Sequence, residues 1–304
     1  MLLRTPMVYL SMSSQKTEDA HMHLPYFGYG SNLNEDDWNR NSKRTAWSKT
    51  ILPIEAAFLL DYAPIYHYFS STRNGGALDV IQTLGARTPG VLFEIQEGEL
   101  NTLNKKEGAP NAYHQERVHV QTINGEIIEA LTYTVNDNQR KNQFVKPTTD
   151  YVQAVRDGLT RFGLETEIQD SAAKNDSSSA LCNYVFVYGT LREGEERASL
   201  MRKNRIEPWI SGVVHGELRD LGFYPALIQG EERVHGELHQ YRHITDILWQ
   251  LDRIEGHKNV GDPNNLYERI LIDVMTDTGI IQAWTYRMRE KTGVHIESGD
   301  WKSR

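Results

Sequence analysis

Tyr26-Phe27-Gly28-Tyr29-Gly30-Ser31-Asn32-Leu33 and Val185-Phe186-Val187-Tyr188-Gly189-Thr190-Leu191 are two copies of one pattern. In each, a short apolar or aromatic strand breaks at a glycine followed by a hydroxyl residue. A chain turns tightly in this way because glycine, without a Cβ, tolerates backbone conformations that other residues avoid. Such a turn leaves consecutive backbone N–H groups free to hold an anion. A second marker follows each turn at the end of a helix-like stretch: Lys106-Glu107-Gly108 and Ile254-Glu255-Gly256. One anion-binding turn and one carboxylate, each present twice, form the core of the functional reading.

The copies stay in step beyond the Glu-Gly pairs. Tyr113-x-x-Glu116-Arg117 answers Tyr267-Glu268-Arg269 with two extra residues in the first. Val120-x-Thr122-x-x-Gly125 answers Val274-x-Thr276-x-x-Gly279, and Ala130-x-Thr132-Tyr133 answers Ala283-x-Thr285-Tyr286. Upstream, Gly90-Val91-Leu92-Phe93 answers Gly236-Glu237-Leu238-His239. The offset runs from 146 residues (Gly90 to Gly236) to 159 (Tyr29 to Tyr188), so this is a duplicated domain with small insertions and deletions. The period lies far above the roughly 20–50 residues of solenoid repeats, so each copy is expected to bury its own core.

Residues 1–23 read as a disordered extension, 24–169 as the first domain, 170–182 as a polar, serine-rich linker, and 183–304 as the second domain. In the first, residues 51–69 read as strands, 73–77 as a loop, 88–95 as a strand and Glu97–Glu107 as a helix ended by Gly108. Strands at 115–123 and 126–135 join at Asn124-Gly125, a hairpin signal. Tyr151, Val152, Val155, Leu159 and Phe162 repeat at helical spacing after Pro147. In the second, strands are expected near 183–188, 211–218, 232–241, 266–275 and 279–288, with a helix near 244–255. Many strands and few helices point to an α+β fold, each domain a small mixed β-barrel flanked by helices.

The length of 304 residues fits two domains, and 39% apolar residues can fill two cores. A net charge of −8 argues against nucleic acid as a partner, because phosphate binding needs basic patches. The single cysteine, Cys182, excludes an intrachain disulfide and points to a reducing, cytoplasmic setting. No run approaches the roughly 18 apolar residues of a membrane helix, so no membrane association is expected. Met7-Val8-Tyr9-Leu10 is too short for a signal core. Oligomeric state is not readable.

Glu107 and Glu255 have a bland reading as last-turn glutamates before C-cap glycines. A carboxylate there faces the negative end of the helix dipole, unfavourable by about 0.3–1 kcal/mol. Its retention in both copies points to function, and the same placement raises the pKa toward the range of a general base. Replacing either by Gln is expected to leave stability nearly unchanged, since a helix-end carboxylate is not a core contact. Tyr113 and Tyr267 read equally as core or site residues, and Arg117 and Arg269 as solvated or paired on a strand face. His235, His239 and His243 are spaced by four, but a strand scatters that spacing and no HExxH pattern supports a metal. Neither a Ser-His-Asp grouping, a Walker loop nor a Rossmann glycine pattern is present.

Val185-Phe186-Val187-Tyr188-Gly189-Thr190-Leu191-Arg192-x-Gly194, Phe223-Tyr224-Pro225-Ala226-Leu227, Val234-x-Gly236-Glu237-Leu238, Leu251-Asp252-x-Ile254-Glu255-Gly256 and Tyr267-x-Arg269 resemble the γ-glutamylcyclotransferase-like superfamily, in its γ-glutamylamine cyclotransferase/AIG2-like branch. Tyr26 to Leu33, Gly75-Gly76-Ala77 and Lys105-Lys106-Glu107-Gly108 resemble the γ-glutamylcyclotransferase branch proper. The tandem order is similar to two-domain bacterial members, including the type that removes a γ-glutamyl group in butirosin-like aminoglycoside biosynthesis. The resemblance implies that a γ-glutamyl amine or amide is cleaved without water. The substrate's α-amino group attacks its own γ-carbonyl, and 5-oxoproline and the free amine leave. It implies catalytic roles for Glu107 and Glu255. It implies substrate binding by Tyr29, Gly30, Ser31, Asn32 and Leu33, and by Tyr188, Gly189, Thr190 and Leu191, with Tyr113 and Tyr267 beside them. The partner is a small γ-glutamyl molecule, and neither a metal nor an organic cofactor is implied. Asn32 departs from the glutathione-specific loop and argues against that substrate. The acidic surface suggests a cationic amine as leaving group. The alternative is a catalytically inactive tandem module that binds γ-glutamyl compounds.

Overall fold

The computed structural model describes residues 24–41 and 45–304; the extension expected over 1–23 lies outside the described residues. β1 (Tyr26–Gly28) is buried at all three positions, as a strand enclosed on both faces must be. It pairs antiparallel with β3 (Gly75–Ile95) and parallel with β5 (Ile127–Val135). β2 (Ile51–Ser70) and β4 (Tyr113–Thr122) complete a closed barrel in the order β1-β3-β2-β4-β5. Closure removes the unpaired edges that an open sheet exposes.

The second copy repeats this. β6 (Tyr184–Val187) lies between β8 (Pro225–Gln240) and β10 (Gly279–Arg287), parallel to the latter. β7 (Ile210–Asp220) and β9 (Glu268–Thr276) flank them, and Val213 pairs with Met275 to close the ring. β11 (Val294–His295) adds to β7. Helices α1 (Glu35–Asn41), α2 (Trp47–Thr50), α3 (Leu100–Glu107), α4 (Thr149–Arg161) and α5 (Glu167–Ala172) flank the first barrel, and α6 (Ser199–Arg202) and α7 (Ile244–Glu255) the second. The α+β architecture of two helix-flanked barrels is the expected one.

The duplication holds at the level of single bonds. Tyr29 Oη donates to the Tyr133 carbonyl at 2.6 Å and Tyr188 Oη to the Tyr286 carbonyl at 2.8 Å. Thr132 Oγ1 donates to the Phe27 carbonyl at 2.9 Å and Thr285 Oγ1 to that of Phe186 at 3.0 Å. Tyr113 Oη reaches the Leu78 carbonyl, and Tyr267 Oη that of Pro225, both at 2.9 Å. Register also corrects one sequence match. Tyr133 lies opposite Gln115, and Tyr286 opposite Arg269, so Arg269 corresponds to Gln115 and not to Arg117. No two-residue insertion separates Tyr113 from its strand; the Glu-Arg likeness is one of composition.

Other expectations shift in detail. The stretch read as strands over 51–69 is one strand of 20 residues, Ile51–Ser70, bent at three register irregularities. Gly75 and Gly76, read as loop, begin β3, because a side chain at Gly76 would collide with the Val145 carbonyl packed against it. α3 starts three residues later than expected, and β8 seven residues earlier. The serine-rich stretch read as a linker begins inside α5 and is held to the first barrel. Leu181 bridges Ala86, and the Cys182 N–H donates to the Gly85 carbonyl at 3.0 Å. His235 and His239 lie on β8, and His243 caps α7.

The barrels share a core. Leu60 of β2 belongs to one buried cluster with Ile244, Leu248, Leu271 and Trp284, and Phe58 and Leu84 pack against it. Gln121 bonds both the N–H and the carbonyl of Leu271, at 2.8 and 2.7 Å. Gly90 and Gly236 are paired points of close approach in the two barrels. A Cβ at Gly90 would strike the Gly28 carbonyl and the Phe27 ring, and one at Gly236 the Val187 carbonyl and the Phe186 ring. Gly90→Ala and Gly236→Ala should each lower unfolding free energy by about 1–3 kcal/mol, measured by urea denaturation. Gly163→Ala, where space is open and only the positive φ of 70° opposes a side chain, should cost about 1 kcal/mol or less.

Candidate active site

Each site assembles where the first strand of a barrel ends. After Tyr29 the chain enters a single 3-10 turn (Ser31–Leu33), closed by Leu33 N–H on the Gly30 carbonyl at 3.1 Å. After Tyr188 an equivalent turn closes by Arg192 N–H on the Gly189 carbonyl at 2.9 Å. Gly189 is obligatory, because a Cβ there would strike the Pro225 ring. The N–H groups of Gly30, Ser31 and Asn32, and of Gly189, Thr190 and Leu191, meet no acceptor among the described residues. Three consecutive N–H groups without acceptors are the arrangement that backbone anion nests share.

Across from the second turn, α7 delivers Glu255 from its last residue before Gly256, whose φ of 65° is the left-handed C-cap. Glu255, Tyr188, Gly189, Thr190, Leu191 and Tyr267 all line one cavity of about 130 Å³. All six second-copy candidates therefore come together. The carboxylate accepts no hydrogen bond among the described residues, and burial, only partly offset by the charge of Arg197, lifts its pKa to about 7. Tyr224, Pro225, Tyr286 and Arg197 complete the wall. Arg197 is exposed and its guanidinium is unpaired among the described residues. It gave no signal in the sequence, whereas Tyr286 lay in the repeated Ala-x-Thr-Tyr.

The first site is more tightly wired. α3 ends at Glu107 before Gly108, again left-handed with φ 70°. Glu107 Oε1 accepts from Asn32 Nδ2 and, at 3.1 Å, from Tyr26 Oη. Burial raises the Glu107 pKa, against the lowering by Lys106, Tyr26 and Asn32. Tyr113 is a neighbour whose hydroxyl pKa rises through burial and the Glu107 charge. Arg73, held by both Asp37 oxygens, donates to Ser31 Oγ at 2.9 Å and lies over the Tyr151 ring at 4.9 Å. Asn32 thus contacts Glu107, Tyr29 and Tyr113 lie close enough to feel its charge, and Ser31 is tied to Arg73. Leu33 does not offer itself to a ligand: its side chain is fully buried beside Gly158 of α4, and its N–H closes the turn. Tyr26 and Tyr151 were read from sequence as strand and helix positions, and none of Tyr26, Arg73 and Tyr151 as a site residue.

Comparison with known proteins gives the family. Residues 185–303 match the family described as γ-glutamyl cyclotransferase, AIG2-like, and residues 88–170 the AIG2-like family. A putative γ-glutamylcyclotransferase of Vibrio cholerae is 36% identical over 122 residues, 40% of this chain and 96% of that protein. The chain belongs to the γ-glutamylcyclotransferase-like superfamily. This tandem member is also 33% identical over 119 residues to the γ-L-glutamyl-butirosin B γ-glutamyl cyclotransferase of Niallia circulans, covering 39% of this chain and 74% of that one. Bovine γ-glutamylcyclotransferase is 28% identical over 156 residues, 51% of this chain and 79% of its own. Among solved structures, YkqA of Bacillus subtilis aligns over 90% of this chain and 86% of its own, at 16% identity and a TM-score of 0.33. Among the described residues, no cluster of three or more His, Cys, Asp or Glu has metal-ligand geometry, and no helix is long and apolar enough to cross a membrane.

The raised pKa of Glu255 revises the expectation of unchanged stability. A carboxyl whose folded pKa exceeds its ordinary 4.5 binds its proton more tightly when folded. The native state therefore loses stability as pH rises from about 4.5 to about 7, and the loss is complete above that. Glu255→Gln, which has nothing to ionise, should match the parent at pH 4 and exceed it by roughly 1–3 kcal/mol at pH 8, read by urea denaturation at the two pH values.

Proposed function

We propose that this protein is a γ-glutamylcyclotransferase that releases 5-oxoproline and a free amine from a γ-glutamyl amine or amide, with Glu255 and Glu107 as the acid–base groups of two sites. The observation that carries the reading is one cavity lined both by Glu255, a buried carboxylate with no hydrogen-bond partner among the described residues, and by Gly189, Thr190 and Leu191, whose N–H groups have none there either. The cradle of Gly189, Thr190 and Leu191, with Arg197 beside it, suits the glutamyl α-carboxylate. Glu255 suits the α-ammonium, which it must deprotonate before the amine can act as a nucleophile.

The chemistry asks little more of a protein. The amine and the γ-carbonyl are already in one molecule, so holding the glutamyl chain folded removes most of the entropic barrier. Glu255 takes the ammonium proton, the nitrogen attacks the γ-carbon, and the five-membered ring closes. The proton then passes to the departing nitrogen as the γ-amide bond breaks, and the ring nitrogen gives up its remaining surplus proton through the same carboxylate to the released amine, which leaves as its ammonium ion. One carboxylate serves these transfers and ends as it began. In the first site Oε1 of Glu107 is engaged by Tyr26 and Asn32, which leaves Oε2 for the same work.

The amine half is the less determined part of the substrate. The net charge of −8 favours a cation, whereas Arg197, the only basic residue among the described residues that line the second cavity, opposes one locally. Steering by overall charge should therefore appear as a salt-sensitive kcat/KM for a cationic γ-glutamyl amine. Equal rates for a neutral analogue and no salt effect would remove the cationic preference.

kcat/KM should rise through pH about 7 as Glu255 deprotonates and fall where the substrate ammonium titrates, at about 8 or above. Glu255→Gln and Glu107→Gln should each retain part of the rate, and the double variant should be slowed about 10²–10⁴-fold. A double variant with the parent's turnover would refute the glutamate mechanism. Arg197→Gln should raise KM more than it lowers kcat, as removal of a substrate-binding contact does.

A further inference from the structure

The two copies support their glutamates with the same three-residue framework in different chemistry. In the first barrel it is neutral: Asn104 Oδ1 accepts from Gln115 Nε2 at 2.9 Å and from Tyr133 Oη at 2.7 Å. Asn104 lies one helical turn before Glu107. In the second barrel Asp252, one turn before Glu255, accepts from Arg269 Nε at 2.8 Å and from Tyr286 Oη at 2.7 Å. Tyr286 lines the cavity.

Arginine in place of glutamine adds a cation that is only 1% exposed and stacked at 4.8 Å on Trp284. Asp252 occupies its Nε, so the two terminal nitrogens need acceptors elsewhere, and a buried guanidinium without them is strongly destabilised. Both point across the barrel interface to Asp61, with Nη1 at 3.1 Å from Oδ1 and Nη2 at 2.8 Å from Oδ2. Burial alone would lower the Arg269 pKa; the Asp61 and Asp252 carboxylates more than offset it.

Asp61 itself is built for this delivery. It sits at the bulge between Leu60 and Tyr62 with a φ of 62°, a left-handed conformation that side chains rarely adopt. The Gly85 N–H donates to its Oδ1 at 2.9 Å and holds the carboxylate in place. Strain of this kind persists only where the surroundings enforce it, and here what it aims is a bidentate clamp on Arg269.

We infer that Asp61 of the first barrel is a positioning residue for the second barrel's site, acting through Arg269 and Asp252 on the last turn of α7 and on Tyr286. The second site is then complete only in the presence of the first barrel. The rate arm of the test rests on the cyclotransferase reading; the exchange arm does not.

The full chain carrying Glu107→Gln reports the second site alone. In that background Asp61→Asn should lower kcat about tenfold with KM changed less than threefold. With Arg269→Gln and Asp252→Asn added, which copies the Gln115–Asn104 pair, Asp61→Asn should have less than a twofold effect. Hydrogen–deuterium exchange on the Asp61→Asn protein should rise in the segment 250–257 and stay at the parent's level in 100–108 and 84–86. A parental kcat, or the same tenfold loss in the neutral background, would overturn the inference. So would exchange raised across the whole interface, which is the mark of a mere inter-barrel tie. If the Glu107→Gln parent forms no 5-oxoproline, the cyclotransferase reading fails at that site, and exchange in 250–257 still decides whether Asp61 positions the α7 terminus.

Discussion

A buried tyrosine hydroxyl bonded to the main chain of the last barrel strand is the constraint on which both sites depend. Tyr29 and Tyr188 tie the end of the first strand to the carbonyls of Tyr133 and Tyr286. With the chain fixed there, the turn follows at once; at 189 only glycine fits against the Pro225 ring, whereas Gly30 has an ordinary φ of −116° and room for a side chain. The turn satisfies its own closing bond and leaves three N–H groups without partners. Those donors gain a purpose only because a helix ending in a left-handed glycine places a glutamate opposite them. The dry surroundings that make the glutamate costly to ionise are the same ones that tune it toward neutral pH.

Much of this was legible in the chain because it is written twice. Tyr-Gly-Ser/Thr and Glu-Gly recur in one order, and the recurrence alone separates them from ordinary turn and cap signals. The alternating strands, the Asn124-Gly125 hairpin and the helix after Pro147 rest on local periodicity and came through, although β8 begins seven residues and β3 thirteen residues before the expected starts. What was not legible depends on long-range packing. Gly75 and Gly76 look like loop residues until the Val145 carbonyl is laid against them. Arg117 and Arg269 look equivalent until strand register pairs Arg269 with Gln115's position. Arg197 and Arg73 carry no motif; they reach their sites through loops whose course no spacing encodes. Leu33 belongs to a motif and yet serves the core.

The copies have diverged in how they hold the same carboxylate. The first engages Glu107 with Tyr26 and Asn32 and supports α3 through neutral amides. The second leaves Glu255 free and supports α7 through a buried ion network that spans both barrels. Duplication made this possible: once two barrels share a core around Leu60, a charge introduced in one can be balanced from the other.

Whether the substrate's own amine breaks the γ-amide bond is decided by incubating the protein with a panel of γ-glutamyl amines in ¹⁸O-labelled water and identifying the products by mass spectrometry. 5-Oxoproline without label and the free amine are expected in equal amounts. Glutamate carrying ¹⁸O as the primary product would show that water is the nucleophile and would contradict attack by that amine.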